Sequence, residues 1–129
     1  MGKLDNLGSV VTGAGEGIGS AIAKELASQG SKVACVDFNR ESGEKTVNEI
    51  NGSGGEAVFI ETDVSDPDQV KSMAESASNS LGSIDILVNN AAKFTFGLVE
   101  DVSQEEWEDV LKVNVIGYST CVKECLPHL

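Results

Sequence analysis

Thr12-Gly13-Ala14-Gly15-Glu16-Gly17-Ile18-Gly19 lies between an apolar run, Ser9-Val10-Val11, and a stretch of helical spacing in which Ile18, Ala21, Ile22 and Leu26 recur. An acid, Asp37, closes the next apolar run. Strand, glycine turn, helix, strand, acid is the order of a unit that cradles a dinucleotide. Gly13 and Gly15 are expected to let the backbone turn sharply off the strand through φ values closed to other residues. Gly17 and Gly19 let pyrophosphate and strand approach closely, and free N–H groups at the helix start attract the anion. The literal G-x-G-x-x-G is absent; Gly13-x-x-x-Gly17-x-Gly19 stands in its place, with Gly15 added. Asp37 follows the second strand, where ribose recognition is required. A carboxylate there hydrogen-bonds two hydroxyls and repels a 2′-phosphate, so NAD is expected over NADP, with Arg40 the cation able to rescue NADP binding.

Outward from this turn, short apolar runs bounded by turn residues predict parallel strands at Asn6 to Thr12, Lys32 to Asp37, Ala57 to Glu61 and Ile84 to Asn89. Helices fall between them, near Gly17 to Gln29, Arg40 to Asn51 and Asp66 to Leu81. The third is the clearest. Asp66 can cap it, Pro67 suits its first turn, and Val70, Met73, Ala74, Ala77 and Leu81 share one face. Right-handed crossovers then give an α/β fold, a Rossmann-like doubly wound parallel sheet truncated after about four strands. Asn51-Gly52-Ser53-Gly54-Gly55 is an ordinary helix-to-strand loop, so residues 1–129 read as one domain.

Composition narrows the partners. A formal charge of −12 opposes nucleic acid and anionic membrane surfaces, so local N–H groups must hold any phosphate. No run is long enough to span a bilayer, and Met1 to Gly8 lacks the basic and apolar regions of a secretory leader; a cytoplasmic protein is expected. Cys35, Cys121 and Cys125 show no zinc spacing and read as small apolar residues in a reducing compartment. No metal site is expected. His128, beside Pro127, reads as merely exposed.

After the fourth strand come Asn89-Asn90-Ala91-Ala92, a polar and aromatic loop, and a long helix from about Ser103. Its apolar face runs Trp107, Val110, Leu111, Tyr118, Cys121, Val122 and Cys125, and Asn114 falls on that face. A buried amide must find partners. Asn114 is either a packing residue satisfied by neighbouring backbone, assisted by a break at Gly117, or an active-site residue, and spacing does not choose. Asp63, likewise, either caps the next turn or belongs to a site.

Thr12 to Gly19, Asp37, Asp63-Val64, Asn89-Asn90-Ala91 and Asn114, in that order and over essentially the whole chain, resemble the short-chain dehydrogenase/reductase pattern. The resemblance implies that Asp37 binds the adenosine ribose, Asp63 meets the adenine amino group and Val64 offers its backbone to the ring. Asn90 and Ala91 then line the nearer ribose, Asn89 ties the central strands together, and Asn114 plays a supporting catalytic part in a water-mediated proton relay. The full cofactor-binding set is Gly13, Gly15, Glu16, Gly17, Ile18, Gly19, Asp37, Phe38, Asp63, Val64, Asn90 and Ala91. Ala92 departs from the family's usual Gly.

The family's Ser and its Tyr-x-x-x-Lys have no counterpart. Tyr118 is the sole tyrosine, position 122 is Val, and Lys123 stands one residue too far on. The expectation is therefore the N-terminal, cofactor-binding half of an NAD-dependent dehydrogenase acting on an alcohol or carbonyl, inactive alone. A non-catalytic NAD-sensing module, or one subunit of a split oxidoreductase, are the alternatives. The fourth strand becomes an open edge, and in the family the long helix packs on a second subunit. A homo-oligomer through that edge or the Trp107 to Cys125 helix is expected.

Overall fold

The computed structural model describes residues 2–129. Met1, the first residue of the segment read for a leader, lies outside the described residues. Four parallel strands, β1 (Gly8–Thr12), β2 (Lys32–Asp37), β3 (Glu56–Glu61) and β4 (Ile86–Val88), form one sheet in the order β3-β2-β1-β4. Between them lie α1 (Gly17–Ser28), α2 (Arg40–Gly52) and α3 (Pro67–Leu81). The strand order reverses at β1, because the chain winds outward to β3 and then crosses back to β4. That switch point opens a crevice beyond the carboxyl ends of β1 and β4.

Both faces of the sheet are covered, and period-two alternation along β1 and β2 decides what goes where. Val10, Ala34 and Val36 point to one face and pack with Val70, Met73, Ala74 and Ala77 of α3 and with Cys121 and Cys125. Val11, Val33 and Cys35 point to the other, against Ala23 and Ala27 of α1 and Ile50 of α2. The α3 face is the one its spacing predicts. Asp66 Oδ1 accepts from the Asp68 N–H at 3.0 Å, and Gly82, in the left-handed region at φ 84°, ends the helix.

Two strands are shorter than the sequence suggests. Asn6 adopts φ 67°, and the Leu7 N–H donates to the Leu4 carbonyl, so a turn occupies the start of the expected strand. At β4, Ile84 is fully buried but precedes the ladder, while Asn89 and Asn90 leave it to bond elsewhere.

The last helix departs furthest from a straight amphipathic rod. Ser103 caps α4 (Gln104–Leu111) in a reciprocal box with Glu106, but residues Lys112–Gly117 form a π-helical segment, α5, before α6 (Tyr118–Cys125) and a final 3₁₀ turn, Leu126–His128. A π turn carries an extra residue and rotates the helix beyond it by roughly 100°. The single apolar face therefore splits. Cys121 and Cys125 are buried, Val110 and Tyr118 are half-buried, and Trp107, Leu111 and Val122 are exposed. The break is centred on Asn114 and ends at Gly117. There a Cβ would come 3.0 Å from the Val64 carbonyl oxygen and 3.1 Å from that of Lys112. His128 is half-buried rather than exposed. Among the described residues no helix is long and apolar enough to cross a membrane.

Candidate functional site

The crevice at the switch point is a cleft of about 760 Å³, within the range of small-molecule sites. Of the expected cofactor residues, Gly13, Glu16, Ile18, Asp37, Phe38, Asp63, Val64, Asn90 and Ala91 line it. Gly15, Gly17 and Gly19 shape the turn beneath it, and Asn114 stands outside.

The glycines differ in what they do. Gly13 at φ 67° and Gly17 at φ 53° occupy the left-handed region. Gly15 does not; a Cβ there would sit 2.8 Å from Asp37 Oδ2 and 3.0 Å from the Ser42 Cβ, so those side chains would have to move to admit one. Close approach belongs to Gly19, whose Cβ would lie 2.8 Å from the Gly13 carbonyl carbon, whereas nothing lies within 4 Å of one at Gly17. The unusual φ expected of Gly13 and Gly15 is thus found at Gly13 and not at Gly15, while the close approach of turn and helix expected at Gly19 is present and the space over Gly17 is open. α1 starts uncapped: the Glu16 side chain makes no capping bond and its first turn holds no acid. The first-turn N–H groups thus lack intrahelical partners and carry the positive end of the helix dipole, which suits an anion.

Asp37 ends β2 with its carboxylate already engaged on one side. Oδ2 accepts from the Gly15 N–H at 2.9 Å and Oδ1 from the Asn39 N–H at 2.9 Å. These bonds fix the carboxylate in the cleft lining and leave lone pairs for further donors. Arg40 points elsewhere. Its guanidinium bonds Glu44 at 3.0 Å and Glu61 at 3.2 Å and lies 5.4 Å over the Phe59 ring.

Thr12 and Asn90 lock the end of β4 to the turn. Thr12 Oγ1 accepts from the N–H groups of Asn90 and Ala91, each at 3.0 Å, while Asn90 Nδ2 donates to the carbonyls of Thr12 and Gly13, each at 3.2 Å. Asn90 therefore makes the tie between strands that the resemblance implied for Asn89. Asn89 instead donates from Nδ2 to the Tyr118 carbonyl at 3.2 Å, and its buried Oδ1 has no partner. Thr12, a member of the glycine-rich stretch but not of the expected site, was recognisable only by its neighbours in space.

Asp63 caps the turn after β3, accepting from the Ser65 N–H at 2.9 Å and hydroxyl at 2.6 Å, and also lines the cleft. Asn114 is satisfied by backbone: Oδ1 accepts from the Lys93 N–H and Nδ2 donates to the Lys93 carbonyl, both at 2.8 Å. This holds the loop after β4 against the π segment. Tyr118 and His128 do not line the cleft. Burial pushes the Cys35 and Cys121 thiols up to about 12 and Cys125 to about 11. Among the described residues, no three His, Cys, Asp or Glu side chains group to hold a metal.

The short chain dehydrogenase family model matches residues 9–129, and the chain belongs to that family. It is 41% identical over 128 residues to a versicolorin reductase of Emericella nidulans, covering 98% of this chain and 48% of that protein. A 3-oxoacyl-[acyl-carrier-protein] reductase of Staphylococcus aureus is 37% identical over 123 residues, 94% of this chain and 50% of the other. Two solved structures superpose closely. A Burkholderia cenocepacia short chain dehydrogenase in complex with NADP has TM-score 0.93 and 34% identity, over 98% of this chain and 52% of that one. A Burkholderia phymatum short chain dehydrogenase/reductase in complex with NAD has TM-score 0.94 and 33% identity, over 100% and 46%. The chain thus spans about half the length of the curated relatives it matches.

Proposed function

We propose that residues 1–129 act as one nicotinamide-dinucleotide-binding domain of a short-chain oxidoreductase, whose whole reaction moves hydride between cofactor and an alcohol or carbonyl. One observation carries the reading: an uncapped helix start over a glycine turn, an oriented Asp37 and the Asn90-Ala91 wall border a single cleft. The first-turn N–H groups of Gly17, Ile18 and Gly19 hold the pyrophosphate, with Gly13, Gly15 and Glu16 shaping the turn. Asp37 takes the adenosine ribose, Phe38, Asp63 and Val64 border the adenine, and Asn90 and Ala91 flank the second ribose. The bound nicotinamide supplies or accepts the hydride. Asn114 supports this from a distance by holding the loop that begins at Lys93. Both curated relatives named above are reductases, which favours carbonyl reduction.

NAD is favoured over NADP because a 2′-phosphate would meet the Asp37 carboxylate, and Arg40 is engaged by Glu44 and Glu61. The chain alone turns over no substrate, since Tyr118 is followed four residues on by Val122 and the cleft lining contains no tyrosine. It works in the cytoplasm and as a homo-oligomer, through the open edge of β4 or the exposed Trp107, Leu111 and Val122. Titration calorimetry with NAD and NADP tests the cofactor assignment. NAD should bind more tightly and Asp37→Ala should narrow the gap; tighter NADP binding by the unmodified chain would overturn the role given to Asp37.

A further inference from the structure

The two peptides that flank Gly15 are each held by a side chain, and one of the two holds comes from outside the cleft. The Gly15 N–H donates to Asp37 Oδ2. Its carbonyl oxygen faces α2, with Thr46 Oγ1 at 3.3 Å, and no backbone N–H outside the helical ladders reaches it. Thr46 is 2% exposed and does not line the cleft. Its hydroxyl has one proton and, besides Ser20 Oγ, two carbonyl acceptors within reach. The other is the Ser42 carbonyl at 3.4 Å, one turn back in the same helix and already part of its ladder. Ser20 Oγ lies 3.1 Å from Thr46 Oγ1 and is itself buried. Where Ser20 donates to Thr46, the Thr46 proton is free for the Gly15 carbonyl, the nearer of the two carbonyls.

We propose that Thr46, backed by Ser20, is a positioning residue for the phosphate-binding turn. In a trans peptide the C=O and the following N–H point in opposite directions. Holding the Gly15 carbonyl toward α2 therefore directs the Glu16 N–H away from α2 and keeps a carbonyl dipole from turning its negative end on an incoming phosphate. The turn is then set before ligand arrives, and loss of the grip leaves it competent for only part of the time, weakening binding by that fraction.

The inference rests on the dinucleotide reading, and adenosine separates the two. Calorimetry with NAD and ADP, and NMR titration with adenosine, are run on the unmodified chain and on Thr46→Val, Thr46→Ser and Ser20→Ala. Thr46→Val should bind NAD and ADP roughly 3- to 10-fold more weakly, the worth of one hydrogen bond. It should bind adenosine unchanged and shift the Gly15 and Glu16 amide resonances. Thr46→Ser should restore both affinities, and Ser20→Ala should give a smaller loss of the same kind. Unchanged NAD and ADP affinity in Thr46→Val, an equal loss for adenosine, or no rescue by Ser would overturn the proposal. If the unmodified chain binds neither NAD nor ADP, the dinucleotide reading fails first and this one with it.

Discussion

Gly19→Ala should damage this protein even though it places the best helix former inside a helix. In an open helical position the change would stabilise by about 1 kcal/mol. Here the new methyl would lie 2.8 Å from the Gly13 carbonyl carbon, and closer to its oxygen and to Asn90 Nδ2. None of these can retreat freely: Gly13 is in the turn, and Asn90 Nδ2 is held by two carbonyls at 3.2 Å. Overpacking of this kind costs about 1–3 kcal/mol, and a lost Asn90 hydrogen bond about 1 more. The net expectation is a loss of roughly 1–3 kcal/mol, or about 3–12 °C in Tm for a chain of this size, with NAD affinity falling as well. Gly52→Ala is the control, in helix α2 with nothing within 4 Å and no unusual φ; it should leave Tm unchanged or raise it. Thermal melts of both variants, with NAD titrations of the folded fraction, decide the matter. A Gly19→Ala protein as stable as Gly52→Ala and still binding NAD would refute the close-approach argument.

Asn114→Leu should lower stability by about 1–3 kcal/mol, because the Lys93 backbone loses two partners at 2.8 Å; urea melts check this, and faster amide exchange at Lys93 should accompany it. Asp85 is held below the usual carboxylate range by the Ser83 hydroxyl and the Gly8 N–H. Its stabilisation is present above the unfolded carboxylate pKa and lost as pH falls through the lower folded value. Asp85→Asn should thus flatten the acid limb of Tm against pH, and an unaltered limb would count against it. With thiols pushed to about 11–12 and buried, Cys35, Cys121 and Cys125 should react with a disulfide reagent at pH 8 only after unfolding; a fast native thiol would contradict their burial. Light scattering over a dilution series should show an oligomer that Val122→Lys or Leu111→Lys weakens. A monomer at every concentration would remove the assembly proposal.

The glycine turn, the alternating strands and helices, and the face of α3 were legible in the chain itself, because each rests on local physics: permitted φ values, period-two and period-3.6 burial, and capping by Asp66. Gly13 and Asp37 could be placed at the cleft in the same way, because in a parallel α/β sheet the strand ends that carry them meet at the switch point, whereas Asp63, Val64, Asn90 and Ala91 were named only through the family resemblance and Ser42, Lys93, Phe94, Asp109 and Lys112, which also border it, were not named. What escaped the sequence depends on contacts far apart along it. Gly15 is set by its neighbours Asp37 and Ser42 rather than by its own φ. Likewise Asn90, not Asn89, ties β4 to the turn, because only its side chain reaches the Thr12 and Gly13 carbonyls. The π segment at Lys112–Gly117 has no periodic signature of its own; it forms where Asn114 meets Lys93 and Gly117 meets the Val64 carbonyl. One extra residue in that turn moves Trp107 and Leu111 off the face that buries Cys121 and Cys125, and a straight-helix periodicity cannot register such a rotation.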